Sequence, residues 1–180
     1  LCLLGHASFM AEEPPRDGHR KSVLNPRHTH VGIGFAASAN AFRLVELFTR
    51  HLVEITAPAG RVLSQRQWVE LAGLAPLGNA IHSITVFYEG WPQPMDLKGK
   101  KGGASYSLPQ ERLDLFPVLP PPWFYTDGTQ GSITTDEEGK FSAPLTFYRG
   151  AGAYTVVVWL VQGEDQNPVP ATALSLFVTE

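Results

Sequence analysis

Short apolar segments separated by turn residues fill the last two thirds of this 180-residue chain, and they limit what it can fold into. Each segment has the length of a typical strand, and Gly, Pro or Asp stands between neighbours. The predicted strands cover residues 68–74, 82–88, 105–108, 131–135, 140–147, 154–161 and 173–179. Strands this short and regularly spaced are typical of an antiparallel β-sandwich, so residues 61–180 are predicted to form one.

The predicted hairpin at residues 135–141 has a recognisable sequence. It reads Thr-Asp-Glu-Glu-Gly-Lys-Phe, and Gly139 is free to adopt the positive φ that such a loop needs. The hairpin and its strand-rich surroundings are similar to immunoglobulin-like or carboxypeptidase-regulatory-like modules of bacterial surface proteins. The resemblance implies an immunoglobulin-like antiparallel β-sandwich that serves adhesion or assembly.

The composition changes near Pro58-Ala59-Gly60, where Pro and Gly are typical of a hinge. Five of the six histidines precede this point, and only His82 follows it. The sequence therefore predicts two domains, residues 1–57 and residues 61–180.

Charge and hydropathy exclude two classes of partner. The net charge is -3 and no cluster of basic residues occurs, which argues against nucleic acid as the main partner. No apolar run approaches the ~18 residues of a membrane span. The first residues lack a basic stretch followed by a long apolar one, so no signal peptide is expected in this chain.

The first domain is predicted to mix short helices with strands. Pro14-Pro15 ends a preceding helix, and Asp17 suits the N-cap of a short helix over residues 19–24. Residues 29–36 alternate between apolar and small or polar residues, as a strand does. Residues 42–55 fit helical spacing, but a strand is preferred there because of the resemblance described next.

One combination of motifs lies in residues 9–36, which read FMAEEPPRDGHRKSVLNPRHTHVGIGFA. The motifs are Gly18-His19-Arg20, the pair Val23-Leu24, Asn25-Pro26, and Val31-Gly32-Ile33-Gly34. Together they resemble the C-terminal part of the CAP (SCP/PR-1-like) domain, in its bacterial form. The implied fold is mainly β, with a partial CAP-like α/β segment followed by the sandwich. The resemblance also implies an extracytoplasmic or secreted protein that binds lipid-like or other ligands or partners, with no established reaction.

The resemblance singles out His19 as a ligand-binding residue. In the family this histidine faces a cleft, where a second histidine and two acidic residues from earlier in the domain join it. Glu12 or Glu13 could take the place of the nearest acidic residue. The second histidine of that cleft and its other acidic residue have no counterpart in this chain. The earlier half of the domain, which would supply them, therefore belongs to a longer protein, to another chain, or to a segment that was cleaved off.

Two further hypotheses come from other functional classes. His19, His28 and His30 could bind zinc in a hydrolase with Glu12 or Glu13 as base, because residues i and i+2 of a strand face the same way. Alternatively, the chain is a structural subunit of an extracellular assembly, in which a neighbour completes an exposed sheet edge. A carbohydrate partner is also considered, because the aromatic faces of Trp68, Trp91, Trp123 and Tyr125 could stack on sugars. All of these except Trp68 stand in loop-like sequence.

Overall fold

The computed structural model describes residues 1–58, 62–64, 68–93, 108–163 and 165–180. The chain forms two compact units, Leu1–His51 and Leu52–Glu180. This division falls earlier than the boundary predicted at residues 58–60, because the strand Glu54–Ala57 pairs with a strand of the second unit. No helix in the described ranges is long and apolar enough to cross a membrane.

The first unit contains two short helices and a two-stranded sheet. Its elements are α1 (Cys2–Met10), α2 (Gly18–Val23), β1 (His30–Ala37) and β2 (Phe42–Thr49). β1 and β2 form an antiparallel hairpin, with His30 opposite Thr49 and Ala37 opposite Phe42. The strand preferred over a helix is confirmed for Phe42–Thr49, where half-buried and exposed residues alternate, but the range predicted to residue 55 extends beyond its end.

Asp17 stands at the N-cap position of α2, as predicted, but its side chain does not cap the helix. Its carboxylate instead forms an ion pair with Lys21 at 2.8 Å, one turn further along the helix. The hydrogen bond from Lys21 lowers the pKa of Asp17.

The first unit buries very little. Of residues 1–51, all of which are described, only Asp17 is buried. Val31, Ile33 and Phe35 of β1 are each more than half exposed, and within this unit β1 pairs only with β2. Isolated two-stranded sheets are marginally stable, so the free edge and exposed apolar side chains of β1 suit a further covering element.

The second unit consists of two facing sheets. Its strands are β3 (Glu54–Ala57), β4 (Val62–Ser64), β5 (Val69–Leu74), β6 (Asn79–Glu89), β7 (Arg112–Leu115), β8 (Thr134–Thr135), β9 (Lys140–Leu145), β10 (Gly152–Gln162) and β11 (Asp165–Thr179). One sheet has the order β3-β5-β9-β8 and the other β4-β11-β10-β6-β7. All described pairings between these strands are antiparallel except β4 with β11. The prediction of a mainly β chain with antiparallel sheets is confirmed.

The predicted strands coincide with β5, β6, β8, β9, β10 and the second half of β11. Residues 105–107 of the remaining predicted strand lie outside the described residues. The short strands β3, β4 and β7 were not predicted, because three or four residues carry too little alternation to indicate a strand.

The core lies between the two sheets and is built around β10. Tyr154, Val156, Val158 and Leu160 alternate along this strand and are fully buried. They belong to one apolar cluster with residues of the neighbouring and facing strands, among them Leu71, Ile84, Leu145 and Leu176. This is the two-layer packing expected of strands that each turn one face inward.

A buried tyrosine fixes the turn that leads into β10. The Tyr154 hydroxyl donates a hydrogen bond to the carbonyl oxygen of Gly150 (3.0 Å) and accepts one from the N–H of Arg149 (3.1 Å). Its ring packs among those of Tyr88, Phe147 and Tyr148. Burial raises the pKa of Tyr154.

The long connection between β7 and β8 is ordered by backbone hydrogen bonds. Leu119 donates to Gln130 (2.7 Å), and Ser132 donates to Phe116 (2.8 Å). Gly131 lies in this connection with a φ of 87°, and a Cβ there would lie 2.2 Å from the carbonyl oxygen of Pro117. Only glycine combines that backbone conformation with so close an approach.

The edge strands of the sandwich carry features that hinder pairing with other chains, and β1 does not. β3, β4, β7 and β8 are short strands, and β11 carries Pro168 and Pro170 in the stretch that β4 does not pair with. Short strands and prolines prevent pairing with other chains. No proline and no charged Lys, Arg, Asp or Glu occurs between His30 and Ala37.

Candidate functional site

The structure brings Glu12 and His19 together at the start of α2. Glu12 lies between the end of α1 and Pro14, where the chain turns back. Its Oε1 is 2.5 Å from Nδ1 of His19, and its Oε2 accepts the backbone N–H groups of His19 (2.9 Å) and Arg20 (3.4 Å). Because a carboxylate accepts hydrogen bonds, Nδ1 carries the proton and Nε2 is left for another group.

This arrangement fixes the orientation of an otherwise accessible histidine. The His19 side chain is 65% exposed, whereas that of Glu12 is 23% exposed. The His19 ring also stacks on Phe9, with ring centres 4.6 Å apart. The hydrogen bond from the His19 ring lowers the pKa of Glu12, and the backbone N–H groups act in the same direction. An imidazole held in this way can bind a ligand group or transfer a proton.

A cavity of about 240 Å³ adjoins this pair. Phe9, His19, Leu44, Glu46 and Phe48 contribute to its lining, which also includes Gly18, Ser22, Val23 and Val45. Inward-facing residues of β2 therefore form one wall, while α1 and α2 supply the others.

A second histidine–carboxylate pair lies at the same cavity. Glu46 Oε1 is 2.8 Å from Nδ1 of His6, and the Glu46 side chain is only 6% exposed. Sequence reasoning assigned no role to Glu46. The available signal was a single carboxylate between Leu44 and Phe48 on the inward face of a strand, where an apolar residue is usual.

The other predicted site residues lie apart from the Glu12–His19 pair. His28 precedes β1 instead of belonging to it, and its ring stacks on Phe48 with centres 5.0 Å apart. His30 contacts His51 edge to face, and its Nδ1 is 2.9 Å from Thr29 Oγ1. Glu13 is exposed.

The predicted zinc ligands do not converge. In the described part of the chain, no group of three or more His, Cys, Asp or Glu side chains could hold a metal ion. The argument that placed His28 and His30 on the same face of a strand was wrong, because the strand begins at His30. His28 Nε2 is instead buried without a hydrogen-bond partner.

The second unit has a larger cavity, of about 520 Å³, on its four-stranded sheet. Thr134 and Ser142 in its lining bond to each other (2.9 Å), and Asp136 accepts the N–H of Lys140 (2.9 Å). These polar groups therefore already have hydrogen-bond partners within the hairpin. Of the aromatic residues predicted to contact carbohydrate, Trp68, Trp91 and Trp123 are exposed, whereas the Tyr125 hydroxyl donates to the carbonyl oxygen of Pro117 (2.9 Å).

No protein-family model, curated protein or solved structure matches this chain. The Glu12–His19 pair and the cavity beside it are therefore the features from which a function is proposed. They offer an oriented imidazole, an apolar wall and a carboxylate, that of Glu46, whose side chain is only 6% exposed.

The lowered pKa of Glu12 predicts an acid-sensitive contact. Its folded pKa lies below the ordinary 4.5, so the stabilisation it contributes is present above pH 4.5 and is lost as the pH falls through the lowered value. In an NMR titration, we expect the His19 ring resonances to shift below pH 4.5, as the Glu12 carboxylate takes up a proton. That shift should vanish in Glu12→Gln and persist in the adjacent Glu13→Gln. Identical titration curves in the two variants would contradict the assignment.

Proposed function

We propose that the first unit is the C-terminal part of a CAP-like domain, and that it binds a ligand or partner without catalysing a reaction of its own. The Glu12–His19 contact carries this proposal. It orients the motif histidine in the first turn of α2 and leaves most of its ring accessible. The resemblance places such a protein outside the cytoplasm, with lipid-like ligands, carbohydrates or proteins as its partners.

We infer that the second unit is an immunoglobulin-like sandwich that serves as an accessory module. Its strand order supports this inference, since β3-β5-β9-β8 corresponds to strands A, B, E and D of that fold. The facing sheet then corresponds to A′, G, F, C and C′. Tyr154 supports it further, because a tyrosine at the start of strand F that bonds to the backbone just upstream is typical of such domains.

Ligand binding is better supported than zinc-dependent hydrolysis. A catalytic zinc site needs three protein ligands around one point, and His28 and His30 each contact other aromatic rings. The exposed Val31, Ile33 and Phe35 offer an apolar surface of the kind that an acyl chain covers.

The same strand favours the structural role as a second candidate. β1 exposes its apolar residues along its whole length and lacks the prolines and charges that usually protect an edge. A neighbouring chain that adds a strand there would complete the sheet.

Native mass spectrometry of the tag-free chain tests the proposal, with palmitate and zinc added in separate runs. We expect a palmitate complex that is roughly tenfold weaker in His19→Ala, in keeping with the loss of one hydrogen bond to a charged group. We expect no retained zinc in either protein. Stoichiometric zinc that disappears in His19→Ala, without palmitate binding, would overturn the proposal in favour of the hydrolase. The same spectra show whether the chain is a single copy or an assembly.

A further inference from the structure

The mostly apolar cavity in the first unit includes one carboxylate, that of Glu46, in its lining. Phe9, Leu44 and Phe48 make much of the lining apolar, yet Glu46 also contributes to it. The Glu46 side chain is only 6% exposed. A carboxylate in such surroundings is unfavourable unless a positive charge or several hydrogen-bond donors accompany it.

His6 meets only part of that requirement. Its Nδ1 contacts Oε1 of Glu46 at 2.8 Å, and the His6 ring is itself 44% exposed. The described contacts give Oε2 of Glu46 no partner, and this atom is not among the buried polar atoms that lack one. Oε2 is therefore accessible for a ligand.

The chemistry of the lining selects the charge of that ligand. Beside Oε2 of Glu46 an anionic group would be repelled, and a neutral apolar group would remove water from the carboxylate without supplying a counter-charge. A cation gains from the carboxylate, and aromatic rings such as those of Phe9 and Phe48 also attract ammonium groups.

The size of the cavity selects a small molecule. Its volume of about 240 Å³ lies below the ~300–1,000 Å³ of pockets that hold drug-sized ligands. It therefore holds a compact ligand group and not a whole acyl chain.

We propose that this cavity binds a small organic ammonium ion, with Glu46 as its counter-ion and Phe9 and Phe48 as aromatic walls. The proposal rests on the binding function proposed for this unit and names a ligand class for it. It depends on Glu46, which the family resemblance does not include.

Isothermal titration of the whole chain with choline tests the proposal, beside the neutral isostere in which a quaternary carbon replaces the nitrogen. We expect choline to bind at least tenfold more tightly than the isostere. Glu46→Gln keeps the shape of the side chain and should reduce choline affinity at least tenfold, whereas the exposed Glu13→Gln should leave it unchanged. Phe9→Leu, on a different element, should also weaken choline and provides a second variant if Glu46→Gln does not fold.

Equal binding of choline and its isostere, or no binding of either, would overturn the ligand class. Unchanged choline affinity in folded Glu46→Gln would do the same. If palmitate binds but choline does not, the ammonium site is wrong and the binding function stands. If neither binds, both proposals fail.

Discussion

Gly131→Ala is expected to destabilise the second unit by about 2–5 kcal/mol. The residue has a φ of 87°, and a Cβ there would lie 2.2 Å from the carbonyl oxygen of Pro117 and 2.7 Å from that of Phe116. An L-residue in the left-handed region costs about 1–2 kcal/mol, and displacement of two backbone carbonyls adds the remainder. Urea unfolding followed by tryptophan fluorescence measures the change.

Gly128→Ala is the matched control for this prediction. Gly128 has a similar φ of 84° in the same connection, but a Cβ there would meet nothing within 4 Å. The control should therefore show only the conformational cost of about 1–2 kcal/mol. If both variants lose the same stability, the close approach of the Pro117 carbonyl to residue 131 is not real.

Tyr154→Phe is expected to lose about 1–3 kcal/mol of unfolding free energy. The substitution keeps the ring in its cluster but removes one hydroxyl that both donates to Gly150 and accepts from Arg149. The two backbone groups then lose their partner beside a fully buried side chain. Both hydrogen bonds are partly buried, so the loss should be at least that of an average hydrogen bond, because unsatisfied polar groups with little access to water carry a desolvation cost.

Tyr148→Phe is the control that shows whether the loss in Tyr154→Phe comes from its hydrogen-bonded hydroxyl. Tyr148 belongs to the same aromatic cluster, but it is 39% exposed and its hydroxyl makes none of the described hydrogen bonds. We expect its loss to be within about 0.5 kcal/mol of zero. Equal losses in the two variants would show that the Tyr154 hydroxyl does not hold the turn before β10.

The sequence predicted the elements whose signals are local. The hairpin at residues 136–139 formed as expected, with Asp136 and Lys140 joined by a backbone hydrogen bond (3.0 Å) and Gly139 at a φ of 85°. β2 is instructive, because the apolar residues of this segment fit helical spacing and the strand was preferred only for the family resemblance. In the structure the segment pairs with the preceding Gly-rich strand.

The candidate site was predictable only in part, because one of its contacts joins residues close in sequence and the other joins residues far apart. Glu12 and His19 are seven residues apart, and a short motif indicated them. Glu46 and His6 are forty residues apart, and nothing local to either residue indicates the other. The zinc hypothesis assumed that His28 and His30 share a strand, although the strand was predicted over residues 29–36, and in the structure His28 precedes β1, which begins at His30.

The contrast between the edge of β1 and the edges of the sandwich determines the valency of any self-association. The β1 edge is unprotected, whereas the sandwich edges are short or interrupted by Pro168 and Pro170. Through the β1 edge alone, a chain pairs with one other copy in a two-fold contact, and that contact uses the edge up. Growth through β1 then stops at two copies, so a filament or layer of this protein requires a second contact on every chain, such as one at the outer edge of β2.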